Sequence, residues 1–317
     1  MSVLVTGGTG FVGRALLSAL ISKKNINITA LVRQKKTDIP ECVTQITTPQ
    51  RKPYTSDASL RNIDVIIHLA GRAHVLKETS ENPLELYRAD NVENTLELAK
   101  QAMNAGVKRF VFISSIGVNG SSTKEAPFNE LSVPAPKANY ALSKWEAEQG
   151  LRKLAEGSKM EVVIIRPPLV FAGHAPGNFR RLIKLIDTGV PLPFGLVNNV
   201  RSMIALENLV DFIAICIDHP AAANETFLIS DGLDFSTPKI IQHVAKGLNR
   251  KARVLPVPLS LMQIGAQLLG MQGTFEQLCQ SLVIDSSKAR NLLGWQPPIP
   301  AEQALIKAGQ DFRASRT

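Results

Sequence analysis

Two short stretches hold residues whose types and spacing could do chemistry. Tyr140-Ala-Leu-Ser-Lys144 sets a phenol and an ammonium four residues apart, so on a helix they share one face. An ammonium beside a phenol stabilises the phenolate and draws its pKa down from about 10 toward neutrality. Tyr140 would then act as general acid or base on a carbinol or a carbonyl. Ser114-Ser115 closes the apolar run Lys108–Ser114. A serine hydroxyl at the C-terminal edge of such a strand can hydrogen-bond the same substrate oxygen. By itself, Tyr-x-x-x-Lys on a helix is common, and the plain alternative is a surface pair.

The second stretch is Gly7-x-x-Gly10-x-x-Gly13, between the apolar run Val3–Val5 and the helical pattern that starts at Arg14. Gly7 allows a sharp turn out of a strand, Gly10 lets the backbone approach a pyrophosphate, and Gly13 lets a helix pack against the sheet. The helix N-terminus then offers free N–H groups and a positive dipole end to phosphates. The alternative is a tight turn in an α/β fold that binds no nucleotide. The second strand ends Ala30-Leu-Val-Arg33, with no acid where a ribose hydroxyl pair would be held. A guanidinium there suits a 2′-phosphate, so NADP is preferred and NAD is the other choice. Arg33 could instead stack on adenine or face solvent.

The elements that must position these groups alternate along the first half. Strands are expected at Val3–Val5, Asn27–Arg33, Asp64–Ala70, Lys108–Ser114 and Glu161–Arg166, with helices after Gly13, over Pro83–Ala105 and over Lys137–Ala155. This order implies an α/β fold, a doubly wound and mostly parallel Rossmann sheet. The pattern breaks up near Pro167. The division expected is a nucleotide-binding domain over 1–166 and, over 167–317, a smaller substrate-binding lobe with some segments returning to the first domain. Thr226–Ile229 and Arg253–Val257 read as short strands. Leu259–Leu269 carries an apolar stripe that is read as a core helix, with a membrane or partner contact as the alternative.

Composition excludes several classes. Cys42, Cys216 and Cys279 lie far apart without metal-ligand spacing, so no metal site is expected. The net charge of +9 is spread out, with no aromatic interleaving, which argues against nucleic acid and suits phosphate-bearing ligands. No apolar run is long enough to span a membrane, and no leader pattern opens the chain. A cytoplasmic enzyme is the expectation.

Taken together, the glycine loop, Ser115 and Tyr140-x-x-x-Lys144 resemble the extended short-chain dehydrogenase/reductase superfamily, and within it the NAD(P)-dependent nucleotide-sugar epimerase/dehydratase family. His68-Leu-Ala-Gly71, Asn91-Val-Glu-Asn-Thr95, Phe112–Gly120, Arg166–Gly173, Asn178-Phe179, Arg201–Leu209 and Leu293-Gly-Trp-Gln-Pro297 are similar to further motifs in the family's order, so the resemblance covers essentially the whole chain. It implies that Tyr140 is the acid/base, that Lys144 also holds the nicotinamide ribose, and that Ser115 orients the reacting oxygen. Cofactor contacts are implied for Gly7, Gly10, Phe11, Val12, Gly13, Arg33, Leu69, Ala70, Gly71, Asn91, Ser114, Pro167 and Val170. Asn178 and Arg201 would hold the substrate diphosphate, although Asn178 also reads as a helix N-cap and Arg201 as a surface salt-bridge partner. The helices Pro83–Ala105 and Lys137–Ala155 correspond to a dimer interface of the superfamily.

Three departures bear on the reaction. Ile116-Gly117 stands where dehydratases carry an acidic pair, so 4,6-dehydration is not expected. Asn119 replaces a Tyr of the lining, and no acid is evident in Thr44–Pro49. The resemblance to UDP-sugar 4-epimerases and to UDP-4-keto-6-deoxy-N-acetylhexosamine 4-reductases implies C4 chemistry on a UDP-sugar. Reduction of the 4-keto sugar for bacterial polysaccharide or O-antigen is favoured by Arg33. A UDP-glucose or UDP-N-acetylglucosamine 4-epimerase with retained NAD is the alternative. A non-catalytic nucleotide-binding regulator is a third possibility, disfavoured because Tyr140 and Lys144 are both present.

Overall fold

The computed structural model describes residues 1–23, 25–48, 57–73 and 82–316. Nine strands are described: β1 (Ser2–Thr6), β2 (Asn27–Val32), β3 (Thr44–Thr47), β4 (Val65–His68), β5 (Arg109–Ile113), β6 (Glu161–Arg166), β7 (Leu169–Phe171), β8 (Met203–Ala205) and β9 (Thr226–Leu228). The helices are α1 (Phe11–Ile21), α2 (Asp57–Leu60), α3 (Pro83–Arg88), α4 (Asn94–Asn104), α5 (Asn139–Ala155), α6 (Gly177–Asp187), α7 (Leu206–Ile215), α8 (Thr237–Gly247), α9 (Leu259–Leu268), α10 (Gln272–Cys279), α11 (Ser287–Leu293) and α12 (Ala301–Ala314).

Seven strands form one parallel sheet in the order β3-β2-β1-β4-β5-β6-β9, and β7 pairs with β8 in a small second sheet. The order reverses between β1 and β4, and ligands of such sheets bind in the crevice outside that point. Residues Val65–His68 are buried throughout, as are Arg109–Ile113, because helices cover both faces of the sheet. Phe110 and Phe112 are fully buried in one layer with Leu98, Ala102, Ala147 and Leu151 of α4 and α5. Each such phenyl ring stabilises the fold by about 1.5–3 kcal/mol. On the other face α1 and α7 pack together over Val5, Ile67 and Val163.

After β6 the chain builds a second core of α6, α8 and α12, with Phe179, Ile183, Ile240, Val244, Leu305 and Phe312 inside it. It also returns to the sheet, since β9 pairs with β6.

Three sequence expectations change here. The helix over 83–105 is interrupted by a π-helical turn at Ala89–Glu93, a distortion that re-aims a side chain without breaking the helix. In the stretch 253–257 only Val254 makes a ladder contact, an isolated bridge to Leu192, so no strand forms. The apolar helix α9 contains no buried residue at all and is therefore not a core helix. Its stripe lies on the outside because Met262 alone of its side chains packs on the second core.

Candidate active site

The loop between β1 and α1 lines a cavity of about 700 Å³ through Gly7, Gly10, Phe11, Val12 and Gly13. Gly7 has a φ of +69°, and a Cβ there would lie 2.7 Å from the Ala70 nitrogen. A Cβ on Gly13 would lie 2.7 Å from Gly8 Cα and closer still to the Gly7 carbonyl oxygen. Gly10 is open apart from that same oxygen at 3.2 Å. α1 has Gly10 as its N-cap, no side-chain cap and no acid in its first turn, so its leading N–H groups are available to an anion. This cradle fits a dinucleotide pyrophosphate: side chains at Gly7 and Gly13 would clash with the backbone that shapes the turn, and Gly10 leaves the approach to the helix N-terminus open.

A buried polar chain fixes the opposite wall. Ala70 N–H donates to Thr6 Oγ1 at 3.1 Å, Thr6 Oγ1 meets His68 Nδ1 at 2.8 Å, and His68 Nε2 meets Thr95 Oγ1 at 2.9 Å. Burial, then Lys144, pushes the His68 pKa down to about 3, so this imidazole is neutral and structural. Leu69 and Gly71 line the cavity, whereas Ala70 and Asn91 do not. Asn91 sits in the π-helical turn. Its Oδ1 accepts from Arg72 N, and its Nδ2 donates to Arg72 O and to Ser143 Oγ. Asn91 thus pins the loop after β4 to α5 rather than reaching into the cavity.

Ser114, Ser115, Tyr140 and Lys144 converge on the cavity, with Pro167 and Val170 beside them. Ser115 caps a short 3₁₀ turn, its Oγ accepting from Gly117 N–H at 3.1 Å. That leaves the hydroxyl proton for a ligand oxygen. The Lys144 ammonium donates to the Ile113 carbonyl at 2.8 Å and lies 4.4 Å over the Phe112 ring. Burial lowers its pKa to about 8, partly offset by Glu148. Tyr140 has its pKa raised to about 12 by burial and by Tyr87. The expected lowering of Tyr140 by Lys144 is therefore not realised here. The ammonium is turned to a carbonyl, and desolvation of the phenolate dominates.

Below these groups lies a network centred on Glu148, a residue outside the motifs read in the sequence. Glu148 is fully buried and accepts from Ser114 Oγ at 2.5 Å, Arg166 Nε at 2.9 Å and Arg166 Nη2 at 2.5 Å. Arg166 also donates to Asn119 Oδ1 at 2.9 Å. Asn119 is buried and absent from the lining, because its carbonyl is turned inward to the guanidinium. The sequence signal for Glu148 is its place one turn after Lys144, a carboxylate on the buried stripe of α5.

At the far end, Asn178 and Arg201 line the same cavity. Pro176 is the N-cap of α6, so Asn178 lies inside the first turn, and its Nδ2 donates to Gln277 Oε1 of α10. Arg201 donates to the Gln280 carbonyl at 3.0 Å, and burial lowers its pKa. It makes no ion pair among the described residues. Met271, Thr274 and Gln277 add an α10 wall that no sequence motif announces. Arg33 lies outside the cavity, exposed at the end of β2 with Lys35 and Lys36. The nearby Asp38 is paired with Arg14 at 2.5 Å, which holds its carboxyl below the usual range.

The family model described as the NAD dependent epimerase/dehydratase family matches residues 3–230. A Vibrio cholerae protein named UDP-glucose 4-epimerase is 40% identical over 98% of this chain and 95% of its own length. An Escherichia coli O157:H7 protein named N-acetyl-alpha-D-glucosaminyl-diphospho-ditrans,octacis-undecaprenol 4-epimerase is 31% identical over 83% of this chain and 77% of its own. Among solved structures, the UDP-glucuronic acid 4-epimerase of Bacillus cereus in complex with NAD aligns with a TM-score of 0.78 over 99% of both chains, at 20% identity.

Proposed function

The chain belongs to the NAD-dependent epimerase/dehydratase family, and we propose that it acts at C4 of a UDP-linked sugar, reducing a UDP-4-keto-6-deoxy-N-acetylhexosamine. The observation that supports oxidoreduction at a sugar carbon is the convergence of Ser115, Tyr140 and Lys144 on a cavity that also holds the glycine cradle, and Arg33 is what favours reduction over epimerisation. A nicotinamide bound in that cavity supplies the hydride. Ser115 donates a hydrogen bond to the sugar oxygen and orients it, keeping its own proton. Tyr140, with its pKa near 12, is protonated at neutral pH and is thus already the acid that a ketone oxygen needs. Lys144 is largely an ammonium at pH 7 and, released from the Ile113 carbonyl, would hold the ribose hydroxyls and stabilise the phenolate once the proton has left.

NADP is the proposed cofactor because Arg33, Lys35 and Lys36 are exposed at the end of β2 and the nearest acid, Asp38, is engaged by Arg14. Asn178 and Arg201 would hold the substrate diphosphate. The product would feed cell-surface polysaccharide synthesis, and α4 with α5 would form the contact of a homodimer.

A second reading, 4-epimerisation with retained NAD, is favoured by the 40% identity to a protein of that name. The two are separated by turnover with a UDP-4-keto-6-deoxy-N-acetylhexosamine in NADH or NADPH. Oxidation of NADPH, lost in Tyr140→Phe, supports reduction. Interconversion of UDP-gluco and UDP-galacto sugars without net cofactor consumption moves the assignment to the epimerase.

A further inference from the structure

From Val254 to Phe275 the chain has no charged residue, and this stretch includes α9. Apolar residues at such spacing ordinarily face a core. Here they face outward: Leu261 is 60% exposed, Ile264 54%, Leu268 82% and Leu269 73%. Leu261, Ile264 and Leu268 fall on one stripe of α9. Met271, nearly half exposed, continues the patch directly into the cavity wall.

The chain that flanks this patch is basic. Between Asp234 and Asp285 the chain carries five Lys and Arg residues and a single acid, Glu276. Lys251 and Arg253 lie just before the uncharged stretch, exposed and without an ion pair among the described residues. α6 reaches the same lip through the bond from Asn178 to Gln277, and it presents Arg180, Arg181 and Lys184 to solvent. Its acid Asp187 is occupied by Arg250 and Arg316.

We propose that this face docks on an anionic phospholipid surface, α9 lying in the headgroup layer with its leucines inward and the basic residues of α6 and the 250–253 turn against lipid phosphates. An apolar helix stripe rimmed by Lys and Arg has the chemistry of an interfacial helix, and no described helix is long and apolar enough to cross the bilayer. A protein partner would need a complementary acidic rim around an apolar centre. Lipid phosphate over acyl chain offers that order of charge and apolarity in one surface. Docked this way, the cavity wall formed by Met271, Thr274 and Gln277 lies beside the membrane-bound helix.

The test is sedimentation of the full chain with vesicles of phosphatidylcholine alone or containing one quarter phosphatidylglycerol. The protein should pellet with the anionic vesicles and be released by high salt. Lys251→Glu/Arg253→Glu should weaken partitioning roughly tenfold or more. Leu261→Gln/Leu268→Gln should abolish it while leaving turnover of a soluble substrate and the light-scattering mass unchanged. Failure to pellet with either vesicle overturns the proposal, as does equal pelleting of wild type and both variants. A mass halved by Leu261→Gln/Leu268→Gln also overturns it and makes the face a contact between two copies.

Discussion

Replacing Glu148 by alanine should strongly destabilise the protein. The carboxylate is fully buried and receives three hydrogen bonds, two from Arg166 and one from Ser114. Arg166 has only 3% of its side chain exposed, so Glu148→Ala would leave a guanidinium held by Asn119 and the Trp145 face alone. Removing one partner of such a pair costs about 3–5 kcal/mol, because the other charge stays desolvated. Unfolding entropy of about 2.1 cal/mol/K per residue over 317 residues is roughly 0.67 kcal/mol/K, so about 4 kcal/mol lowers the melting temperature by about 6 °C. Arg166→Met should cost a similar amount. The double variant Glu148→Leu/Arg166→Met removes both charges and should lie within about 2 kcal/mol of wild type. The assay is urea unfolding of all four proteins. Single losses below about 1 kcal/mol, or a double loss equal to their sum, would refute the coupled buried pair.

Other outcomes follow from the same geometry. Lys144 has its folded pKa lowered to about 8 from 10.5, so its burial penalty is full below pH 8 and fades as the pH rises through 8 toward 10.5. The charging penalty is then about 3 kcal/mol at pH 7, so Lys144→Met should raise stability there by up to that amount less the lost bond to Ile113, a gain that shrinks in melts toward pH 10, while turnover falls by about a hundredfold or more. Gly13→Ala would drive a Cβ into fixed backbone and should lose about 1–3 kcal/mol in thermal melts together with nucleotide binding, whereas Gly10→Ala should keep its melting temperature and lose affinity in titration calorimetry. Arg33→Asp should move the kcat/KM ratio toward NADH by about tenfold or more, read in parallel cofactor titrations.

The parallel sheet is legible in the sequence because its strands are continuous apolar runs, and the glycine loop because each glycine answers a steric demand. The position of Tyr140 and Lys144 follows from helical spacing. Their electrostatics do not, since the direction of the Lys144 ammonium depends on the Ile113 carbonyl, a tertiary contact with no sequence mark. Asn119 reads as lining for the same reason: nothing local shows that Arg166, 47 residues away, takes its carbonyl. The fate of α9 is the clearest divergence. An apolar stripe specifies that a helix wants a partner, and whether the partner belongs to the same chain is decided by the rest of the fold.

The most direct test of the central claim is hydride tracing. The enzyme would be run with NADPH carrying deuterium at the transferable position and a UDP-4-keto-6-deoxy-N-acetylhexosamine, and the product read by NMR. One deuterium should appear at C4 for each NADPH oxidised, and neither product nor oxidation should be seen with Tyr140→Phe. Unlabelled product, or labelling that survives Tyr140→Phe at the wild-type rate, would contradict it.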